Sequence, residues 1–329
     1  MQEAGPSSLP YKETKMRKQI VILDVETLGE DLDLSVLEQF GDITKFKNST
    51  PEETLERIQN AHIVITNKVV ITKEMMQKSP KLELICIAAT GMNNVDLEAA
   101  SALNIPVKNV AGYSTQSVVQ HTFAMLFYLL EHLKYYDNVV QTGLWSISGL
   151  FTDVSRPFYE ISGKKWGIIG MGAIGKEVAK VATAFGATVS YYSTSGNNTD
   201  TGYISQPLDV LLSTSDIVSI HAPLNDKTYA LINETNLPKL KEKAILLNLG
   251  RGGIINETDL AYELDRREIY AGLDVLEKEP IDQDNRLLQI AHKERLLITP
   301  HIAWTSIEAR KKLLEGIVTN IKSFLQEHA

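Results

Sequence analysis

The feature that most constrains this chain is a glycine run, Gly170-Met171-Gly172-Ala173-Ile174-Gly175, set between an apolar strand and a helical stretch. Trp166 to Ile169 reads as a buried strand. Val178, Val181, Ala182 and Phe185 recur at helical spacing up to Gly186, and a second strand starts at Thr188. This strand–turn–helix–strand order is the context in which a G-x-G-x-x-G run binds a dinucleotide. The first glycine permits a tight turn, the second lets main chain approach a pyrophosphate, and the third lets helix pack on strand. The helix N-terminus adds free N–H groups and a positive dipole end. The expected contacts are Gly170, Gly172, Ala173, Ile174 and Gly175. A glycine run alone suits a purely structural turn equally well; the flanking elements favour the ligand.

The same alternation fills the rest of the chain. Strands are expected at Ile20–Asp24, His62–Thr66, Leu84–Ala88 and Pro106–Asn109, with helices at Pro51–Asn60 and Thr72–Lys78. Thr50 is a plausible N-cap for the first of these helices. Further strands are expected at Thr188–Tyr192, Ile217–His221, Ala244–Asn248, Ala271–Leu273 and Leu296–Ile298. Strands alternating with helices build parallel sheets covered on both faces. Two such series predict two doubly wound α/β domains, and 329 residues suffice for both. Ser117 to Thr142 reads as one long helix, apolar on nearly all sides from Phe123 to Leu130. Such a helix must be buried, in a core or in a dimer interface.

Composition removes other classes. A net charge of −8 without a long basic run argues against a nucleic-acid partner. The longest apolar run, Phe123 to Leu130, is far below the ~20 residues of a membrane span. The single cysteine, Cys86, precludes an internal disulfide and a Cys-rich zinc site, and no metal is expected. It sits in an apolar run and reads as a buried, inert thiol, consistent with a cytoplasmic protein. Residues 1–15 read as a disordered leader or tag.

The strand after the glycine helix ends Tyr191-Tyr192-Ser193-Thr194-Ser195-Gly196. An acid at that strand end would bind the adenosine ribose and repel a 2′-phosphate. Ser193 does neither strongly, and no Lys or Arg lies from Ser193 to Tyr203 to grip a phosphate directly. The choice between NAD(H) and NADP(H) stays open.

With these motifs in place the chain resembles the D-isomer-specific 2-hydroxyacid dehydrogenase family over nearly its whole length from Ile20. The resemblance rests on an ordered set: Thr90-Gly91-Met92-Asn93-Asn94-Val95-Asp96, the Gly170 run, His221-Ala222-Pro223-Leu224, Asn248-Leu249-Gly250-Arg251-Gly252, Gly272-Leu273-Asp274-Val275 with Glu279-Pro280, and Thr299-Pro300-His301. Gly112-Tyr113-Ser114-Thr115, Val118 to Thr122, Trp145-Ser146 and Pro300 to Trp304 resemble the glycerate dehydrogenase (hydroxypyruvate reductase) branch. The resemblance implies a flavodoxin-like substrate domain, residues 16–111 and 300–329, and a Rossmann cofactor domain, residues 112–299, with an interdomain cleft. It also implies a homodimer joined through the cofactor domains, with Phe123–Leu130 in or under the interface.

The implied reaction is reversible hydride transfer between nicotinamide C4 and C2 of a small 2-keto acid, hydroxypyruvate or glyoxylate for this branch. Three groups match the catalytic positions. Arg251 would hold the carboxylate and polarise the carbonyl, as a planar guanidinium can; by itself it reads as well as a surface arginine in a glycine-rich turn. His301 would be the acid/base, selected among seven histidines only by its Thr-Pro-His context. Glu279 would pair with it, favouring the imidazolium and fixing its orientation; alone it reads as a solvated loop acid. Thr90 and Gly91, together with Arg251 and His301, match the substrate-binding positions. Ser193, His221, Ala222, Pro223, Leu249, Gly250, Arg251, Asp274 and His301 match cofactor-facing ones. Asp274 would lie near the nicotinamide carboxamide, and otherwise serves a turn. Two other readings remain: a dehydrogenase of D-lactate or another 2-hydroxy acid, and a dinucleotide-sensing corepressor-like binding protein.

Overall fold

A computed structural model describes residues 17–197 and 202–328. The expected leader, residues 1–15, lies outside the described residues. The chain divides into two compact units, one made of residues up to Tyr113 and from Arg310 on, the other of Ser114–Ala309.

The first unit carries β1 (Lys18–Ile22), β2 (Gly41–Lys45), α1 (Pro51–Ile58), β3 (Ile63–Thr66), α2 (Lys73–Gln77), β4 (Leu84–Ile87), α3 (Leu97–Ala102) and β5 (Val107–Lys108). Its sheet is wholly parallel, in the order β2-β1-β3-β4-β5. That is the flavodoxin-like order, expected here from the resemblance. The β3 and β4 strands are apolar and buried on both faces, as a doubly covered sheet requires. Cys86 is among the buried residues of β4. The α1 helix begins with a full capping box: Thr50 Oγ1 accepts from Glu53 N–H (3.3 Å), and Glu53 Oε2 accepts from Thr50 N–H (2.9 Å). The β2 strand is not apparent from sequence because Gly41–Lys45 is polar and mostly exposed. The chain's end rejoins its beginning within this unit: Asn320 Nδ2 donates to Asn109 O (2.9 Å), and Arg310 pairs with Asp31 (Nη2–Oδ2, 2.7 Å).

The second unit carries α4 (Thr115–Leu130), α5 (Leu133–Gln141), α6 (Leu144–Ile147), β6 (Lys165–Ile169), α7 (Ala173–Ala184), β7 (Thr188–Tyr192), β8 (Ile204–Ser205), α8 (Leu208–Thr214), β9 (Ile217–Ile220), β10 (Ile245–Asn248), α9 (Glu257–Arg266), β11 (Tyr270–Leu273) and β12 (Leu296–Ile298). A last helix, α10 (Ile307–Glu327), starts here and belongs to the first unit from Arg310 on. The sheet is again wholly parallel, ordered β12-β11-β10-β9-β6-β7-β8. Strand order reverses between β6 and β9, which makes the crevice beyond their C-terminal ends the ligand position of such a sheet. Buried Trp166 pins these two strands in register, its Nε1 donating to Ser219 Oγ (2.9 Å).

The helix expectation and the C-terminal unit boundary change. The stretch Ser117–Thr142 is two helices, not one. The chain breaks at His132, whose φ of 52° is left-handed and cannot propagate a right-handed helix. Most of Phe123–Leu130 packs inside its own unit. Phe123, Leu126 and Leu130 are buried within their own unit, and the Phe123 ring lies 5.1 Å from that of Trp166. The unit boundary near the C-terminus falls at 309/310, where 299/300 was expected. His301 therefore folds with the dinucleotide-type sheet.

Candidate active site

Three loops converge at the β6/β9 crevice. The first follows β6. Gly170 has a left-handed φ of 93°, and a Cβ there would come within 2.7 Å of Ala222 N. Only glycine lets the loops after β6 and β9 approach this closely. A Cβ on Gly175 would collide with the Gly170 carbonyl, so the third glycine seats α7 against the turn. Gly172 faces open space, and Ala173 and Ile174 form the first turn of α7. The residues fit a dinucleotide: a glycine cradle, an open approach at Gly172 and a helix N-terminus.

The second loop, after β9, begins with His221. It is nine-tenths buried, and neither ring nitrogen has a hydrogen-bond partner among the described residues. Burial pushes its pKa down to about 3, so the ring is neutral at ordinary pH. A neutral imidazole carries one donor and one acceptor, and leaving both orphaned is costly. The ring lines the same cleft as Gly170, Gly172 and Pro223. A polar ligand in that cleft would satisfy both nitrogens. Ala222 is buried and contributes main chain only. Ser193, at the end of β7, closes a turn by accepting from Gly196 N–H (3.0 Å).

The third loop, after β10, holds Arg251. Buried Asn248 ties it at both ends: its Nδ2 donates to Arg251 O (2.9 Å), and its Oδ1 accepts from Gly250 N–H (3.1 Å). Leu249 is buried, and a Cβ on Gly250 would press on Ala222 O at 2.7 Å. The Arg251 guanidinium is half-buried, with Nη1 donating to Gly250 O (2.8 Å). No ion pair to Arg251 is present among the described residues, so its charge is available to an anion.

Beyond β11 and β12 lies a histidine–carboxylate pair, His301 and Glu279. His301 Nδ1 and Glu279 Oε2 are 2.7 Å apart, and Glu279 Oε1 accepts from Leu276 N–H (3.0 Å). The carboxylate is thus fixed by main chain while it orients the ring. His301 itself has a left-handed φ of 54°, a conformation that costs free energy for a residue with a Cβ. Asp274 holds it there. Its main-chain oxygen accepts from His301 N–H (2.9 Å). Its carboxylate accepts from Ile302 N–H (2.9 Å), Ala303 N–H (2.9 Å) and Thr299 Oγ1–H (2.6 Å). His121 of α4 meets Thr299 Oγ1 through Nε2 at 3.1 Å. Since that hydroxyl proton goes to Asp274, His121 Nε2 is the donor. Asp274 is 1% exposed, and its carboxylate holds this turn. His121 and Thr299 were not singled out as site residues; a lone histidine in an apolar helix gives no sign that it buttresses a distant turn.

Thr90 and Gly91 lie in the first unit, in the loop after β4. Thr90 is clamped to β5's end, its Oγ1 donating to Val110 O (3.2 Å) and its carbonyl accepting from Asn109 Nδ2 (2.6 Å). Neither the Thr90 nor the Gly91 N–H donates to any described residue.

Comparison with known proteins agrees with this construction. Residues 123–303 match the model of the D-isomer specific 2-hydroxyacid dehydrogenase NAD binding domain. The chain is 37% identical over 317 residues to a hydroxypyruvate reductase of Blautia hydrogenotrophica, covering 94% of this chain and 97% of that one. It is 36% identical over 315 residues to a glycerate dehydrogenase of Methylorubrum extorquens, with the same two coverages of 94% and 97%. Among solved structures it resembles the D-lactate dehydrogenase of Aquifex aeolicus complexed with NAD and lactic acid, at a TM-score of 0.81 and 25% identity, covering 94% of this chain and 96% of that one. The sheet order, the glycine cradle and these likenesses agree: the chain belongs to the D-isomer specific 2-hydroxyacid dehydrogenase family and is an NAD(P)-dependent oxidoreductase acting on a CH–OH group.

Proposed function

We propose that the protein reversibly reduces a small 2-keto acid, hydroxypyruvate or glyoxylate, to D-glycerate or glycolate, with Arg251, Glu279 and His301 as its catalytic residues. The observation that carries this reading is the His301–Glu279 pair, 2.7 Å apart, in the unit that also holds the glycine cradle and Arg251. The bound nicotinamide supplies the hydride. Glu279 accepts from His301 Nδ1–H, which leaves Nε2 as the nitrogen that gives its proton to the forming alkoxide. In the reverse direction Nε2 takes that proton back while Glu279 steadies the imidazolium. Arg251 binds the substrate carboxylate and polarises the carbonyl. Thr90 and Gly91 add their two unused N–H groups as carboxylate donors. His221 offers its orphaned ring nitrogens to the cofactor. The names of the Blautia and Methylorubrum relatives favour the three-carbon hydroxy-keto acid.

The test is NADH and NADPH consumption with a panel of 2-keto acids. Hydroxypyruvate and glyoxylate are expected to give the highest kcat/KM. A clear preference for pyruvate would move the protein to D-lactate chemistry. Negligible turnover throughout, with tight dinucleotide binding, would make it a sensor.

The same reading has the protein act as a cytoplasmic homodimer without nucleic acid. Its acidic charge of −8 supports the last point. An apolar arm supports the dimer: Ile147 is 80% and Phe151 92% exposed, with Leu150 and Val154 beside them. A cluster of this kind marks a protein interaction surface. Sedimentation at micromolar concentration is expected to give twice the chain mass, and Phe151→Glu to halve it. A monomeric wild type would remove the dimer from the proposal.

A further inference from the structure

The end of β7 lacks a local cation, but the fold brings one from another loop. The cleft that holds Gly172 and His221 is also lined by Thr194, Ser195, Asn197 and Lys227. Lys227 lies 32 residues past Ser195 in sequence, in the loop after β9. Its backbone is set by a compact turn. Lys227 N–H donates to Asn225 Oδ1 (3.0 Å), Asn225 N–H to Thr228 Oγ1 (2.8 Å), and the buried Thr228 hydroxyl to Pro223 O (2.7 Å). The Lys227 side chain makes no ion pair among the described residues. In the same cleft Ser195 accepts from Asn197 N–H (3.2 Å), and Ser193, just before it, accepts from Gly196 N–H (3.0 Å). Each hydroxyl therefore keeps its own proton to donate. A cation and hydroxyl donors lining one cleft suit an anion, and the nine-tenths buried His221, without a hydrogen-bond partner among the described residues, marks that cleft as one suited to a polar ligand.

We propose that Lys227 recognises the adenosine 2′-phosphate, with Ser193, Thr194 and Ser195 as hydroxyl donors, so that the protein prefers NADP(H) to NAD(H). This rests on the dinucleotide lying across the β6/β9 crevice. Asp226 lines the same cleft and, among its described lining residues, is the one that opposes a phosphate. It moderates the preference set by Lys227.

The experiment is direct titration of NADPH and NADH by nicotinamide fluorescence, without substrate. Wild type should bind NADPH more tightly than NADH. Lys227→Ala should weaken NADPH about tenfold, the scale of one charge-assisted contact at an exposed site, and leave NADH within about twofold. Lys227→Arg should retain NADPH binding, and Asp226→Asn should strengthen it. Added salt should weaken NADPH more than NADH in wild type and equally in Lys227→Ala. The inference is overturned if Lys227→Ala leaves NADPH affinity unchanged or weakens both cofactors alike while wild type binds NADH. If wild type binds neither dinucleotide, the reading of the crevice fails as well.

Discussion

Asp274 shows how much of this site is held by groups that do no chemistry. Its carboxylate caps the turn at Ile302 and Ala303 and takes the Thr299 hydroxyl, and the left-handed His301 hangs from that turn. Asp274→Asn turns one acceptor oxygen into an NH2 facing N–H donors. It should lower kcat about tenfold or more and cost about 1–3 kcal/mol of stability, the scale of an unmet buried donor. Denaturant unfolding and steady-state rates measure the two effects; no change in either would make the network incidental. For His301 the informative change is His301→Asn, because Asn tolerates a left-handed backbone and spares the turn. Here kcat should fall by about 10²–10⁴, the usual contribution of an acid–base group, with dinucleotide affinity kept. A variant that turns over at near wild-type rate would remove His301 from the mechanism.

At the scale of elements, α4 decides how its unit is built. Its apolar circumference, read from sequence as core or interface, is internal to one unit: Phe123 packs on Trp166 at 5.1 Å and stacks on Phe185 at 5.7 Å. Phe123→Ala should therefore cost about 3–5 kcal/mol, the range for a buried aromatic. The loss should be the same at low and high protein concentration. A loss that shrinks as concentration rises would return the helix to an interface. The break at His132 follows from one left-handed residue, which periodicity cannot reveal because Leu133 to Gln141 continues to read as helix.

For the whole molecule, stability should depend on pH through His221. Its folded pKa is near 3, whereas an unfolded histidine titrates near 6.5. Between these values the unfolded chain binds a proton that the folded chain does not, so stability falls as pH drops. The slope from one such group reaches about 1.4 kcal/mol per pH unit. Unfolding free energies between pH 5 and 6.5, compared with those of His221→Leu, should show a steeper fall in wild type. Parallel curves would mean that His221 is solvated or already paired. The tertiary arrangement also accounts for what sequence reading missed. The polar edge strand β2 carries no hydrophobic alternation, and His121 and Thr299 meet across 178 positions.

The sequence by itself determined the class and the order of the chemistry. Alternating strand and helix periods require parallel sheets, and a glycine run between β6 and α7 requires a crevice that main chain can approach. Arg251, Glu279 and His301 stood out only through the family motifs around them; taken alone, each reads as an ordinary surface or loop residue. Only the tertiary structure decided which cation shares a cleft with Ser195, which carboxylate holds the turn at His301, and where α4 is buried. Those outcomes depend on which strand lies beside which. In a doubly wound sheet the crossovers make neighbours of β6 and β9, bringing Ser195 and Lys227 to one cleft although no local pattern relates them.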